Sequence, residues 1–459
     1  MRLRWPFLGL AALVCPALAW AAPPTTIRID VDPRMELESV VRLLGPAAGD
    51  PEGFVRRDIP YARAIADHFA ADRRHAAVRA DSEPAFKNFK FSDRRQVLLR
   101  LSPPPALQVR VEMPYAFYER AGGRDKADAW LDGLRTFCRD AGFLDFLASS
   151  RGLLAPQVDA FRNEVARVDY LGKIEAYTGL GLLGSYSIAL SPFDATGGVA
   201  NEVAVLDDGA MEISSVIGPE QRPGAGFDFW SKRIPSVLWH ESGHGIEDGM
   251  GDLFSDQIAL SSASYQPSWN CYGDWQQCFK ENVVRAVMIR LIAQEFGQAA
   301  ADEQLAYETE TRFPYLKTML DRLRDYEKHR DRYPTLADFY PELVAVLPVP
   351  PPKRGTWEFS SVPSAVSGAP AAKRLRVLRY LEQIIARAKE PAVLAAARRA
   401  RDSVVQESET MREPVGHNFE ADPATAPNPE SRPNPGALPN PNAPPNPGAP
   451  ANPQAPPSR

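Results

Sequence analysis

The sequence predicts an α+β fold in which helices predominate. Three observations carry that prediction. Long stretches on both sides of residue 180 repeat their apolar residues at helical spacing. Between residues 186 and 217 the texture changes to short alternating segments parted by Asp, Gly and Pro. A further alternating stretch, Thr26–Val31, opens the folded part of the chain. The expected architecture is a small mixed sheet with helices elsewhere.

Taken in order, residues 1–21 are an address. Arg2 and Arg4 give a charged start, Phe7 to Val14 an apolar core, and Ala19-Trp20-Ala21 a small-x-small cleavage site. The apolar run stops at Pro16, too short for a membrane span. Val14 stands where a small residue would precede a lipidated Cys15, which disfavours a lipoprotein. The mature chain is therefore expected in the periplasm or outside the cell, with no transmembrane segment.

Met35–Leu44 reads as an amphipathic helix closing at Gly45, and Tyr61–Ala70 and Arg94–Leu101 as further helices. A short strand is expected near Leu107–Val111, then long helices at Asp125–Ser149 and Pro156–Thr178. His68 and His75 fall in this helical region and read as ordinary residues. From Gly179 come strands at Tyr186–Leu190, Glu202–Leu206 and Met211–Ile217. Helices are expected over Ile234–Ile246, Asp252–Leu260, Trp275–Phe296, Phe313–His329 and Thr335–Leu347, with a polar, aromatic loop at Ser261–Asp274. This gives a domain over 25–350, helical over 25–178 and site-bearing over 179–350. A Pro/Ser linker spans 351–372, and two charged helices, Lys373–Lys389 and Ala392–Val405, form an extension over 373–410. Residues 413–459, rich in Pro, Asn and Ala, lack the periodicity to dock and are expected to be disordered.

Composition narrows the partners. With 459 residues and 44% of them apolar, the chain can bury a substantial core. A net charge of −5 argues against nucleic acid as the main partner. Of the four cysteines, Cys15 lies in the leader and Cys138 in an apolar helical run. Cys271 and Cys278 are close enough to bridge in an oxidising compartment. Oligomeric state is not legible.

One stretch carries chemistry. Ile234 to Ile246 contains His240-Glu241-Ser242-Gly243-His244. On a helix, His240 and His244 lie one turn apart on one face, so both imidazoles can reach one Zn²⁺. Glu241 then flanks the open metal position, where a carboxylate can take a proton from water. Pro235 suits a first helical turn. A sheet just upstream can offer an edge strand to an extended peptide, or simply support the helix. A catalytic zinc site needs a third protein ligand. No histidine follows at the extended spacing, because Glu247 and Met250 hold those positions. Glu281 fits best, with Arg285 one turn on to orient it or to stabilise an oxyanion. Glu247, Asp252, Asp256 and Asp274 are rival ligands. Asp248 and Asp252 can orient the histidines, and Tyr265 and Tyr272 are further oxyanion donors.

The order H-E-S-G-H, Y-G-D-W, E-N-V-V-R-A resembles a bacterial family of exported proteins, number 4932 among the domains of unknown function. E-L-E-S-V-V-R-L-L-G, an aromatic helix and Arg74-His75 are similar to that family's opening, and the resemblance covers residues 28–300. It implies a zincin-like fold of the gluzincin type, with His240, His244 and Glu281 on zinc and Glu241 as catalytic base. Better-known gluzincins often carry Asp four residues after the ligand Glu, where this chain has Arg285. The resulting expectation is an exported zinc metallopeptidase acting on peptides or proteins. The alternatives are a zinc-retaining binding protein and a zinc amidase acting on a cell-wall component.

Overall fold

The computed structural model describes residues 26–45, 57, 59–81, 89, 91–113, 115–194, 199–221, 227–269, 274–308, 313–349 and 371–410. The leader 1–21, the linker up to Pro370, Cys271, Tyr272 and the tail 413–459 lie outside the described residues. The described residues group as one compact unit.

Four strands form the sheet: β1 (Ile27–Val31), β2 (Gly184–Leu190), β3 (Val199–Val205) and β4 (Met211–Ile217). Their order is β1-β2-β4-β3, with β1, β2 and β4 parallel and β3 antiparallel to β4. The β3–β4 hairpin turns at Asp208-Gly209, where Gly209 holds φ +74 and Asp208 caps Ala210 N. Strand β4 is buried along its whole length, as a strand covered on both faces must be. The chain is thus mixed α+β, mostly helical with a small mixed sheet.

The helical region before the sheet divides differently from the expectation. The run Asp125–Ser149 is two helices, Arg124–Asp140 and Phe143–Val165, broken where Gly142 enters the left-handed region at φ +64. Pro156 lies inside the second of these rather than starting a new one, and the next helix, Tyr170–Thr178, begins at an Asp169 cap. The strand expected at Leu107–Val111 is only an isolated bridge between Leu101 and Val109. A helix at Gln298–Glu308, absent from the sequence expectation, follows Gly297.

The helix bearing His240 and His244, here the motif helix, runs from Ile234 to Leu253 with Pro235 in its first turn. Trp239 Nε1 donates to Tyr170 O at 3.0 Å and ties it to Tyr170–Thr178. A Cβ at Gly245 would stand 2.4 Å from Met211 Cε and 3.0 Å from Ile213 Cδ1, so glycine lets the helix lie directly on β4. The ligand helix, Trp275–Phe296, packs alongside it and begins at Asp274, whose side chain accepts from Gln277 N. The two helices expected as an extension, Ala371–Arg387 and Pro391–Thr410, belong to the same compact unit. Tyr380 OH donates to Ile246 O at 2.9 Å, and Gln383 bonds both backbone groups of Gly181. Cys278 is disulfide-bonded, and Cys138 is a free, buried thiol. Among the described residues no helix is long and apolar enough to cross a membrane.

Candidate metal centre

The motif helix places His240 and His244 on one face, and the ligand helix brings Glu281 against them. His240 Nε2 lies 3.2 Å from His244 Nε2 and 3.6 Å from Glu281 Oε2, while His244 Nε2 lies 3.4 Å from Glu281 Oε1. These three residues form a group able to hold a metal ion. The triangle has a physical reading: donors about 2.05 Å from a tetrahedral ion stand roughly 3.3 Å apart. Two imidazole nitrogens facing each other at 3.2 Å also need a shared cation or proton between their lone pairs.

Electrostatics agree with that geometry. Burial holds the His240 imidazole well below its usual range, helped by His244 and Arg285. Burial also works against a charged His244, but the hydrogen bonds it donates to Asp248 and Glu281 raise it well above its usual range. For Glu281, burial is outweighed by His244, His240 and Arg285, which hold it down to about 2. Glu281 is therefore an ionised carboxylate facing two nitrogens. Glu241 differs: burial pushes it up to about 7. Its Oε1 is 3.9 Å from His240 Nε2, so it flanks the trio without belonging to it.

Around the trio, Asp248 Oδ1 is 3.8 Å from His244 Nδ1, in position to orient that ring. Gln277 Nε2 donates to Glu281 Oε1 at 3.2 Å. Arg285 Nη2 lies 3.1 Å from Glu281 Oε2, and its Nη1 donates to Glu308 Oε2 at 2.9 Å. Its guanidinium rests 4.1 Å from the Phe313 ring centroid. Arg285 is thus held between two carboxylates and a ring, which suits positioning of Glu281. Glu308, Phe313 and Gln277 carry no signal in the sequence that pairs them with the motif.

The rival ligands are engaged elsewhere. Glu247 accepts from Tyr340 OH, Asp252 is 2.8 Å from Lys280 Nζ, and Asp274 caps its helix. Asp256 lies on the separate short helix Ser255–Ala259 and is not in the ligating group. The Tyr265 ring packs against Trp269 and Trp275. Tyr272 lies outside the described residues.

Two cavities flank the trio. A cleft of about 320 Å³ is lined by His240, Glu241, Arg285 and Arg233, and reaches Asn201 on β3. Asn201 O already accepts from Gln96 Nε2, so peptide pairing along that edge strand would be interrupted there. A second cavity, of about 410 Å³, opens on His244.

Neither a curated protein nor a solved structure matches the chain. The family described as Domain of unknown function (DUF4932) matches residues 27–346, beyond the 28–300 over which the motifs carry the resemblance. That span takes in the whole sheet, the motif helix, the ligand helix, and Glu308 and Phe313, which hold Arg285. The chain therefore belongs to the DUF4932 family.

Proposed function

We propose that the chain is an exported zinc-dependent hydrolase that cleaves peptide bonds, a metallopeptidase of gluzincin type with zincin-like architecture. The observation that carries this is Glu241, a buried carboxyl beside the His240–His244–Glu281 trio and open to the same cleft. A purely structural metal site has no use for such a group. His240, His244 and Glu281 would hold the zinc, and two nitrogens with one oxygen suit that ion. When bound, zinc supplies Lewis acidity to water and to the scissile carbonyl.

The chain's own residues do the rest. Glu241 takes a proton from the attacking water and delivers it to the leaving amine. Burial favours the protonated form that returns the proton, and a bound cation would favour the carboxylate that takes it. Arg285 fixes the Glu281 carboxylate, and Asp248 orients His244. The leader expected at residues 1–21 supports export, which places the substrate in the periplasm or outside the cell.

Two substitutions separate ligand from base. Glu281→Ala should lose both the metal and the activity of the purified mature chain. Glu241→Gln should keep stoichiometric zinc yet slow peptide cleavage by about 10²–10⁴-fold. Metal analysis and a peptide-library digest read both. Retention of zinc by Glu281→Ala removes the gluzincin assignment, and a Glu241→Gln variant as active as the parent removes the mechanism.

A further inference from the structure

The helix Ala371–Arg387 begins beyond the family-matched residues, yet it walls the cavity that opens on His244. That cavity is lined by His244, Asp248, Lys280, Lys373, Arg376 and Tyr380, among others. Arg376 is the unusual member. Its Nη2 donates to Gly245 O at 2.7 Å, the backbone carbonyl next to a candidate ligand. Its Nη1 is buried with no hydrogen-bond partner. Among the described residues no carboxylate comes within ion-pairing distance of this guanidinium.

Elementary physics makes that arrangement costly as it stands. Arginine cannot shed its proton, so a desolvated guanidinium stays charged. Asp248 acts on this guanidinium through space without touching it, and the buried Nη1 is left without an acceptor, which costs stability unless one is supplied. The neighbouring acids are already employed. Asp252 binds Lys280 at 2.8 Å, and Asp248 faces both His244 Nδ1 at 3.8 Å and Lys280 Nζ at 3.9 Å. Lys373, exposed at the same cavity, adds a further cation. The cavity therefore has room for an anion and charge to hold it, beside the trio.

We propose that this cavity is a subsite for a carboxylate of the substrate, held by the Arg376 guanidinium with Lys373 at its rim. The proposal rests on the peptidase reading and narrows its substrates to peptides that carry a carboxylate near the scissile bond. Arg376 bonds the backbone one residue from His244, and an extended chain advances about 3.3–3.6 Å per residue. Because His244 and Arg376 line the same cavity, the carboxylate belongs to a residue near the bond that is cut. A C-terminal carboxylate and an Asp or Glu side chain share this chemistry.

Calorimetric titration of the full mature chain, zinc-loaded and carrying Glu241→Gln to prevent turnover, tests it. Three probes suffice: N-acetyl-trialanine with a free carboxylate, its C-terminal amide, and that amide with glutamate at the centre. One acid should bind about ten- to a hundredfold tighter than the neutral amide, the span for a hydrogen bond to a charged group. Which acid gains tells a terminal from a side-chain carboxylate. Adding Arg376→Gln should erase the advantage while zinc content stays the same. Arg376→Lys, which keeps the charge and loses the fork, covers the case where the glutamine variant does not fold; it should show a weakened preference. Equal binding of all three probes, no binding of any at millimolar concentration, or a preference undiminished in both variants overturns the proposal, the last by placing the carboxylate on the metal. An Arg376-dependent preference in a chain that cleaves no peptide would keep the anion subsite and remove the peptidase reading.

Discussion

Buried carboxylates in this molecule are assigned different tasks by their surroundings. Glu281 is held ionised by two histidines and an arginine, whereas Glu241, one residue from His240, is pushed up by burial to about 7. Glu36, in the helix Pro33–Leu44, has a third role. It is fully buried, and burial raises it to about 8 against the opposing pull of Tyr61 and Arg95. The folded state thus favours protonated Glu36, while the unfolded chain titrates near 4.5. Its stabilisation is complete below about 4.5 and is lost as pH rises towards 8, by up to about 1.4 kcal/mol per pH unit. Glu36→Gln should flatten that decline, and urea melts at about pH 5 and pH 8 compare the two. An identical pH slope in both proteins would show that Glu36 does not titrate this way. At this scale the sequence is legible where chemistry is local. His240, Glu241 and His244 share one helical turn, so spacing alone placed them together. Arg285 meets Glu308 and Phe313 only through the way the next helix folds back, which no local pattern records.

Elements were legible where caps and periodicity agree and blurred where a single residue turns the chain. The ligand helix has the limits its sequence announces, with Asp274 as cap and Gly297 as stop. Gly142, inside an unbroken apolar pattern, splits one expected helix into two by adopting a left-handed conformation. The motif helix runs further than its signature because its later face is covered. A Cβ on Gly249 would lie 2.8–3.0 Å from three atoms of the Tyr380 ring, so glycine there is needed for the close approach of Ala371–Arg387. Gly249→Ala gains about 1 kcal/mol in helix propensity. It must also displace a buried ring whose hydroxyl holds Ile246 O, and such overpacking costs about 1–3 kcal/mol. The expected balance is a lower melting temperature, and an equal or higher one would mean that Tyr380 yields freely.

For the whole molecule, the sheet and site lie inside the family-matched span, while one wall of the second cavity comes from outside it. Deleting everything after Val349 should therefore lower the melting temperature by several degrees, because it strips Tyr380, Arg376 and Gln383 from their backbone partners. Deleting only the residues after Arg412 should leave it unchanged, since that Pro-rich stretch has no apolar periodicity. Two thermal scans decide this, and equal losses in both would contradict it. The sequence showed the two charged helices but not their berth. Part of that berth is backbone groups of Gly181, Gly245 and Ile246 and the bare Gly249, which leave no mark in a hydrophobic pattern.

The triangle of His240, His244 and Glu281 has a consequence for which ions this chain accepts. Its edges of 3.2 to 3.6 Å are set by two buried helices, not by flexible loops. A tetrahedral centre for such edges lies about 2.0–2.2 Å from each donor. Calcium takes six to eight oxygen ligands, which two imidazoles and one carboxylate do not supply. Magnesium has the right size but demands an oxygen octahedron that two imidazoles cannot supply. On the metal reading proposed above, this donor set would favour nitrogen-preferring ions over these two hard cations. Because the three donors come from two packed helices, a mutation that shifts their spacing should weaken metal binding, which metal analysis of the variant would read.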